Sequence, residues 1–300
     1  MEAHRLFLTQ LVMQGGPEPA DYPAFNAWLD QLANEVRSGN LNVDDVRAIW
    51  ATAAAVTFCE STMQGFCRLK PHGYAGDFEV IDRIYQEWIS SDPALAKWDH
   101  YFHALAAPRA VRNRKAYLHA WLREAERHRS DDPLRLLNVG SGPGRDVCEY
   151  FQCAPDTRVI CECVDRDPQA IAYASTLCAA FRGRVTFHEA NALRFRPAQA
   201  PHLIWSAGLF DYLEPRLFVV LLRRLWRGLA PGGELAVGNF SPANSTRTHM
   251  ELVGEWVLFH RDEIELTSLA LQAGVPDHAI RIGCEPEGVN LFLHLMKPSE

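Results

Sequence analysis

Several protein classes leave no mark on this sequence. None of its eight cysteines (Cys59, Cys67, Cys148, Cys153, Cys161, Cys163, Cys178 and Cys284) stands in a C-x-x-C pair. The spacing of zinc ribbons and dithiol redox motifs is therefore missing, and the thiols read as reduced structural residues. Twelve histidines include no H-E-x-x-H pattern, so no metal is expected. Basic charge is scarce too. Thirty Lys and Arg against 37 Asp and Glu leave a net charge of −7, which offers nucleic-acid phosphates no footing. No apolar run reaches the length of a membrane span. The first twenty residues, with Glu2, His4, Gln10 and Glu18, lack the basic start and apolar core of a signal peptide. The expectation is a cytoplasmic protein with a small-molecule substrate and neither a nucleic-acid nor a membrane partner. Oligomeric state is not legible.

What is present divides in two. Residues 1–130 read as a helical cap. Tyr22, Phe25, Trp28, Leu29 and Leu32 recur at helical spacing and stop at Ser38, Gly39 and Asn40. Val43, Val46, Ile49 and Trp50 repeat the pattern, and "VDDVRAIWATAAAVTFCESTMQGF" reads as one long helix. Gly73 and Gly76 mark a loop. A helix with Val80, Ile81, Ile84, Tyr85 and Trp88 follows, and another contains "AVRNRKAYLHAWLREAERH". The polar stretch "HRSDDP" (128–133) is the natural boundary.

Residues 131–300 have another texture. "RLLNVG", "RVICECVD", "VTFHEA", "HLIWSAG" and "GELAVGNF" are strand-like runs separated by helical or loop segments, the pattern of a parallel sheet wound with helices. Cys161 and Cys163 alternate on one run and should share a buried face. "HAIRIGCEP" and "VNLFLHLMK" have no obvious helix between them and read as an antiparallel pair at the sheet edge.

The first of these strands runs into "LLNVGSGPGRDV", where Gly140, Gly142 and Gly144 alternate with single residues. A glycine turn at this place in a wound sheet receives a nucleotide-like ligand. A dinucleotide fold needs G-x-G-x-x-G, whereas Arg145 stands where the last glycine should be. The tighter G-x-G-x-G suits a ligand without a pyrophosphate. Asp165 ends the second strand, where a carboxylate can accept from both ribose hydroxyls, and Arg166 beside it is a further cofactor-binding candidate. Asp167 and Pro168 read as an N-cap and first helical residue. Asn191 and Ala192 follow the third strand, where Asn191 could meet an adenine amino group. Small Ser206, Ala207 and Gly208 end the fourth, and "LAPGGELAVGNF" turns into the fifth.

On these residues the chain from 134 to 300 resembles the class I S-adenosylmethionine-dependent methyltransferases. The resemblance implies a Rossmann-like α/β sheet of seven strands, the last antiparallel. It also implies that Gly140, Ser141, Gly142 and Gly144 line the methionine part of S-adenosylmethionine, Asp165 the ribose, and Asn191 with Ala192 the adenine. "KPHGYAGDFEVIDRIY", "KWDHYFH" and "AVRNRKAY" resemble a bacterial subgroup with a helical cap. That subgroup includes fatty-acid methyl ester-forming methyltransferases and azetidine-2-carboxylate synthases, which cyclise S-adenosylmethionine itself.

A sulfonium makes each attached carbon an electrophile, so positioning does most of the work in either reaction, worth about 7–11 kcal/mol. The reading favoured here is cyclisation to azetidine-2-carboxylate with release of methylthioadenosine. Its alternative is methyl transfer to a small or fatty acyl carboxylate. Asn138 motivates the first choice. The wider family commonly has an acid at this position, which would hold the ligand amine as a non-nucleophilic ammonium, whereas a neutral amide does not. Asn138 could equally be a turn-compatible substitution. Among the aromatics Tyr74, Phe78, Trp205, Phe210 and Tyr212, the loop residue Tyr74 is the preferred sulfonium contact, the others being candidates for ordinary core. Ser206 and Tyr212 could orient the amine. Arg112 and Arg114 could clamp a carboxylate or simply form a solvated face. Asp211 is either a base or a cap, and His72 and His202 are more readily structural than catalytic.

Overall fold

The computed structural model describes residues 1–130 and 133–299. Asp131 and Asp132 of the anticipated boundary lie outside the described residues. The chain forms two compact units, Met1–Arg109 with Ser245–Val257, and Ala110–Asn244 with Leu258–Glu300. The division does not fall at 130/131. The helix Ala106–His128 belongs to the second unit from residue 110 onward, because Leu118, Trp121 and Leu122 pack in the core of the sheet. Residues 245–257 return to the first unit. No helix among the described residues is long and apolar enough to cross a membrane.

The first unit is helical. Its core gathers Leu8, Phe25, Trp28, Trp50, Trp98 and Tyr101, with the rings of Phe7 and Trp28 stacked at 5.2 Å. The long helix expected from Val43 is broken. Val43–Trp50 ends in a 3-10 turn, Ala54–Thr57 adds one helical turn, and a new helix begins at Met63. Polar side chains explain the break. The Thr62 hydroxyl donates to the Val56 carbonyl and accepts the Gly65 N–H at 3.0 Å, capping the new helix. Asp99 accepts the Met63 N–H at 2.7 Å and the Ser90 N–H at 2.8 Å. Apolar periodicity runs through the break because the pieces bury the same side chains, so periodicity alone hides it. The next helix, Phe78–Tyr85, ends before Trp88, with Glu87 in left-handed conformation at φ 50°.

Gly65 is what allows the two pieces to touch. A Cβ there would lie 2.0 Å from the Cys59 carbonyl oxygen and 2.7 Å from that of Val56, both backbone atoms. Gly65→Ala is therefore expected to destabilise the first unit by about 3 kcal/mol, at the severe end of overpacking. Gly183→Ala, where a Cβ meets nothing within 4 Å, should leave urea melting unchanged. Equal midpoints for the two variants would contradict the packing argument.

The second unit holds seven strands: β1 Leu134–Val139, β2 Val159–Asp165, β3 Val185–Glu189, β4 Leu203–Ser206, β5 Glu234–Phe240, β6 Ile280–Cys284 and β7 Asn290–Met296. Their order is β3-β2-β1-β4-β5-β7-β6. β7 runs antiparallel to both β5 and β6, and the remaining pairs are parallel. Alternation along β1 separates the two faces. Leu134 and Leu136 join a core with the Ala106–His128 and Arg145–Cys153 helices, and Leu137 and Val139 join one with the Pro215–Gly228 and Glu263–Gln272 helices. Cys161 and Cys163 are buried on the first face, their sulfurs 3.6 Å apart. The order reverses between β1 and β4, which opens a crevice at the carboxyl ends of these strands.

Candidate functional site

The three glycines each sit in the left-handed region, at φ 66°, 52° and 65° for Gly140, Gly142 and Gly144. Alternating left-handed residues fold the turn back on itself. The Gly140 and Ser141 N–H groups both donate to the Val164 carbonyl, at 2.8 and 3.2 Å. Side chains are excluded for space as well as conformation. A Cβ on Gly140 would come within 3.0 Å of Leu209, and one on Gly144 within 3.1 Å of Ala174. Gly144 caps the Arg145–Cys153 helix, so the turn delivers that helix's free N–H groups to the crevice.

Asp165 locks the turn from the neighbouring strand. One carboxylate oxygen accepts the Gly142 N–H at 2.9 Å and the other the Asp167 N–H at 3.0 Å. Each oxygen keeps a lone pair for a further donor. Asp167 is the N-cap anticipated for it, accepting the Gln169 N–H at 2.8 Å, with Pro168 first in the helix. Asn191 lies exposed after β3. Its Oδ1 accepts the Leu193 N–H at 2.8 Å in a local turn, so its Nδ2 is the group that points a hydrogen outward.

Two buried polar atoms beside the turn, Asn138 Nδ2 and Ser141 Oγ, have no hydrogen-bond partner among the described residues. Unmet donors this deep cost about 1–3 kcal/mol each. A polar ligand laid across the glycine turn would satisfy them, and the amino-acid end of S-adenosylmethionine has the necessary acceptors and donors. The residues present fit that group.

Ser206 does not have the orienting geometry expected of it. It is wholly buried and its hydroxyl donates to the Val139 carbonyl at 2.8 Å, tying β4 to β1. Arg114 is buried with Nη1 3.2 Å from the Ala207 carbonyl, and its guanidinium lies against Gly208. It is thus no solvated face. Tyr212 stands 36% exposed on the 3-10 turn Phe210–Tyr212 after β4. Tyr74 belongs to the first unit, half-buried in the Gly73–Gly76 loop. Arg112 is half-buried on the same helix as Arg114, and Arg166 is exposed. Phe78, Trp205 and Phe210 are core. His72 bonds Glu79 at 2.9 Å, and His202 accepts the Arg135 N–H at 3.1 Å at the amino end of β4, so both are structural.

Asp211 is buried inside the 3-10 turn Phe210–Tyr212 and does not cap it. Its carboxylate accepts the Phe240 N–H at 2.6 Å and clasps the β4 turn to β5. Burial pushes its pKa up to about 6 from an ordinary 3.8, against the pull of Arg114 and Arg261. The folded state thus holds this proton more tightly than the unfolded state does. The resulting stability is full below about pH 4, is lost as pH rises through 6, and changes no further above. Asp211→Asn retains an acceptor for Phe240 and should flatten that slope in urea midpoints taken from pH 4.5 to 7.5. Asp99, also pushed up to about 6 by burial, should leave a smaller slope of the same sign.

Some residues around the site are not anticipated from the sequence. Asp146 lies buried under the turn, its pKa raised by burial and held down by Arg114 and His119. Asn290, at the start of β7, is wholly buried with neither amide atom partnered, beside Gly238. Arg261 and Asn239 brace the β4 turn. Asp146 follows the glycine motif directly and could have been found there; the others come from distant segments. No cluster of metal-ligating side chains occurs among the described residues.

Parallel strands, an antiparallel seventh and a glycine turn locked by a carboxylate define a class of fold, and comparison places it. Residues 136–233 match the family model of a methyltransferase domain. The matched stretch is about a third of the chain and carries the glycine turn, Asp165 and Asn191. Among individual proteins the chain is similar to trans-aconitate 2-methyltransferase of Streptomyces avermitilis, at 28% identity over 179 residues, or 55% of this chain and 63% of that one. The match thus spans less than two thirds of that curated relative's length. Among solved structures, a possible exported protein from Bordetella parapertussis aligns with a TM-score of 0.60 and 21% identity, covering 74% of this chain and 79% of that one. Magnesium protoporphyrin IX methyltransferase from Synechocystis PCC 6803 with bound SAH aligns at 0.50 and 10% identity, covering 64% and 87%. Both structural likenesses concern the fold alone.

Proposed function

We propose that the chain is a cytoplasmic methyltransferase that uses S-adenosylmethionine and acts on a carboxylate, of a small acid or a fatty acyl group. The carrying observation is the lock between Asp165 and the glycine turn, which leaves two carboxylate lone pairs at the crevice. The acceptor class draws on the relative named for trans-aconitate, a tricarboxylate, and on buried Arg114 at the end of β4.

S-adenosylmethionine, when bound, supplies a methyl group on a sulfonium whose leaving group is a neutral thioether. The chain's own residues position and desolvate. Asp165 accepts from the ribose hydroxyls. Asn191 offers its Nδ2 to a ring nitrogen of adenine, a different contact from the amino group expected of it. Asn138 and Ser141 hold the amino-acid end, and the amides of Gly140 and Gly142 line it. Arg114 clamps a carboxylate, bidentate geometry being the strength of a guanidinium. No base is required, since an ionised carboxylate attacks without losing a proton.

A second reading, cyclisation to azetidine-2-carboxylate, rests on one observation: Asn138 is neutral and its Nδ2 is unpaired. In that reaction the ligand's amine, having lost its proton, forms a bond to its γ-carbon while the sulfur–carbon bond breaks. The experiment compares products. Incubation with S-adenosylmethionine alone should leave it intact, and added carboxylic acids should yield S-adenosylhomocysteine and a methyl ester. Methylthioadenosine formed without acceptor would reverse the choice. Asn138→Asp should then slow that release at least tenfold, because a carboxylate holds the amine as ammonium, whereas methyl transfer should survive the change.

A further inference from the structure

The connection between β3 and β4 has no helix. Residues 190–202 cross the sheet as a loop, pinned by the Arg224 guanidinium to the Phe195 carbonyl at 2.6 Å and by Arg135 to the Ala200 carbonyl at 3.0 Å. Beneath it, against the Pro215–Gly228 helix, remains a cavity of about 400 Å³. Its floor is the apolar sheet face, including Leu137, Val139 and Ile204, and Phe195 and Leu225 line its sides. That volume lies within the roughly 300–1,000 Å³ usual for small-molecule sites.

The rim has a single charge. Arg196, Arg224 and Arg227 all line the cavity. The side chains of Arg196 and Arg227 have no carboxylate partner among the described residues. The concentration is local. Residues 190–228 contain six arginines (194, 196, 216, 223, 224 and 227) and only two acids, Asp211 and Glu214, in a chain of net charge −7. Asp211 is buried and engaged with Phe240. Apolar walls remove water from a hydrocarbon body, and cations at the mouth select an anionic head.

The geometry points to a binding site for an amphiphilic carboxylate, hydrocarbon body inward and head at Arg196 and Arg227, on the sheet face below the glycine turn. The site does not depend on methyl transfer and needs no cofactor.

Calorimetric titration of the full chain with dodecanoate, below its micelle concentration, tests this. One saturable site is expected, with affinity at least tenfold weaker for dodecanol and for dodecyltrimethylammonium. Arg196 and Arg227 are exposed, so Arg196→Glu with Arg227→Glu should fold normally. This variant should bind dodecanoate at least tenfold more weakly while its affinity for S-adenosylhomocysteine stays the same. Ala200→Trp, which fills the mouth from an exposed position, should weaken dodecanoate in the same way. Dodecyl phosphate binding tighter than dodecanoate would replace the carboxylate head by a phosphate and overturn the assignment of class. Absence of saturable binding, indifference to both variants, or competitive displacement by S-adenosylhomocysteine would each overturn the site.

Discussion

Replacing Asp165 by Ala is expected to weaken binding of S-adenosylhomocysteine by at least 100-fold, the largest effect of any single change in the crevice. Two hydrogen bonds to a charged acceptor contribute about 1.5–3 kcal/mol each. Their joint loss therefore corresponds to roughly 10² to 10⁴ in affinity. The same carboxylate also holds the Gly142 and Asp167 N–H groups. Removing it leaves the turn held only by its backbone bonds, those of Gly140 and Ser141 to the Val164 carbonyl and of Gly144 to the Ser141 carbonyl. Asp165→Asn separates the two contributions. An amide keeps one oxygen but turns a donor toward one of the two backbone donors, so it should lose most of the affinity while losing less stability than Ala. Calorimetry with S-adenosylhomocysteine, beside thermal melting of each variant, checks both parts. Affinity within threefold of the original for Asp165→Ala would remove the ribose role and the cofactor assignment with it.

The strands were legible because parallel strands buried on both faces read as short apolar runs between turn signals. The glycine turn, Asp165 and the Asp167–Pro168 cap were legible because each performs its role within a few residues of its neighbours. Roles that join distant segments were not. Ser206 offered a hydroxyl at the right strand end, but only the pairing of β4 with β1 shows its proton bound to Val139. Asp211 reads as either a base or a cap because nothing local reveals that Phe240, 29 residues on, lies against it. The break at residues 58–62 was hidden for the same reason, since Asp99, which caps the new helix, is 36 residues beyond Met63. Tyr74 remains where its glycines place it, in a loop of the first unit.

Arg261→Ala should cost the second unit about 3–5 kcal/mol, the penalty of removing one partner from a buried charge network. Arg261 is only 4% exposed. Its Nη1 donates to the Phe210 carbonyl at 3.1 Å and to Asn239 Oδ1 at 2.8 Å, its Nη2 to the Leu213 carbonyl, and its guanidinium lies 4.7 Å from the Phe218 ring. Truncation leaves the Leu213 carbonyl and the Asn239 amide oxygen without this donor around a void, strips the Phe210 carbonyl of one of its two donors, and deprives Asp211 of a neighbouring cation. The turn it braces, residues 210–213, follows the small residues of β4 at the crevice. Lost rigidity should therefore appear in the acceptor's KM as well as in melting. Lysine is no substitute, because a single ammonium on a flexible stem cannot span three acceptors that a planar fork reaches together. Arg261→Lys should recover less than half of the lost urea midpoint. Because Arg261 reaches none of the cofactor residues named above, S-adenosylhomocysteine affinity in whatever fraction stays folded should change less than threefold. Full recovery by lysine, or a loss of cofactor affinity as large as that of Asp165→Ala, would mean that the residue works by charge alone or reaches the cofactor itself.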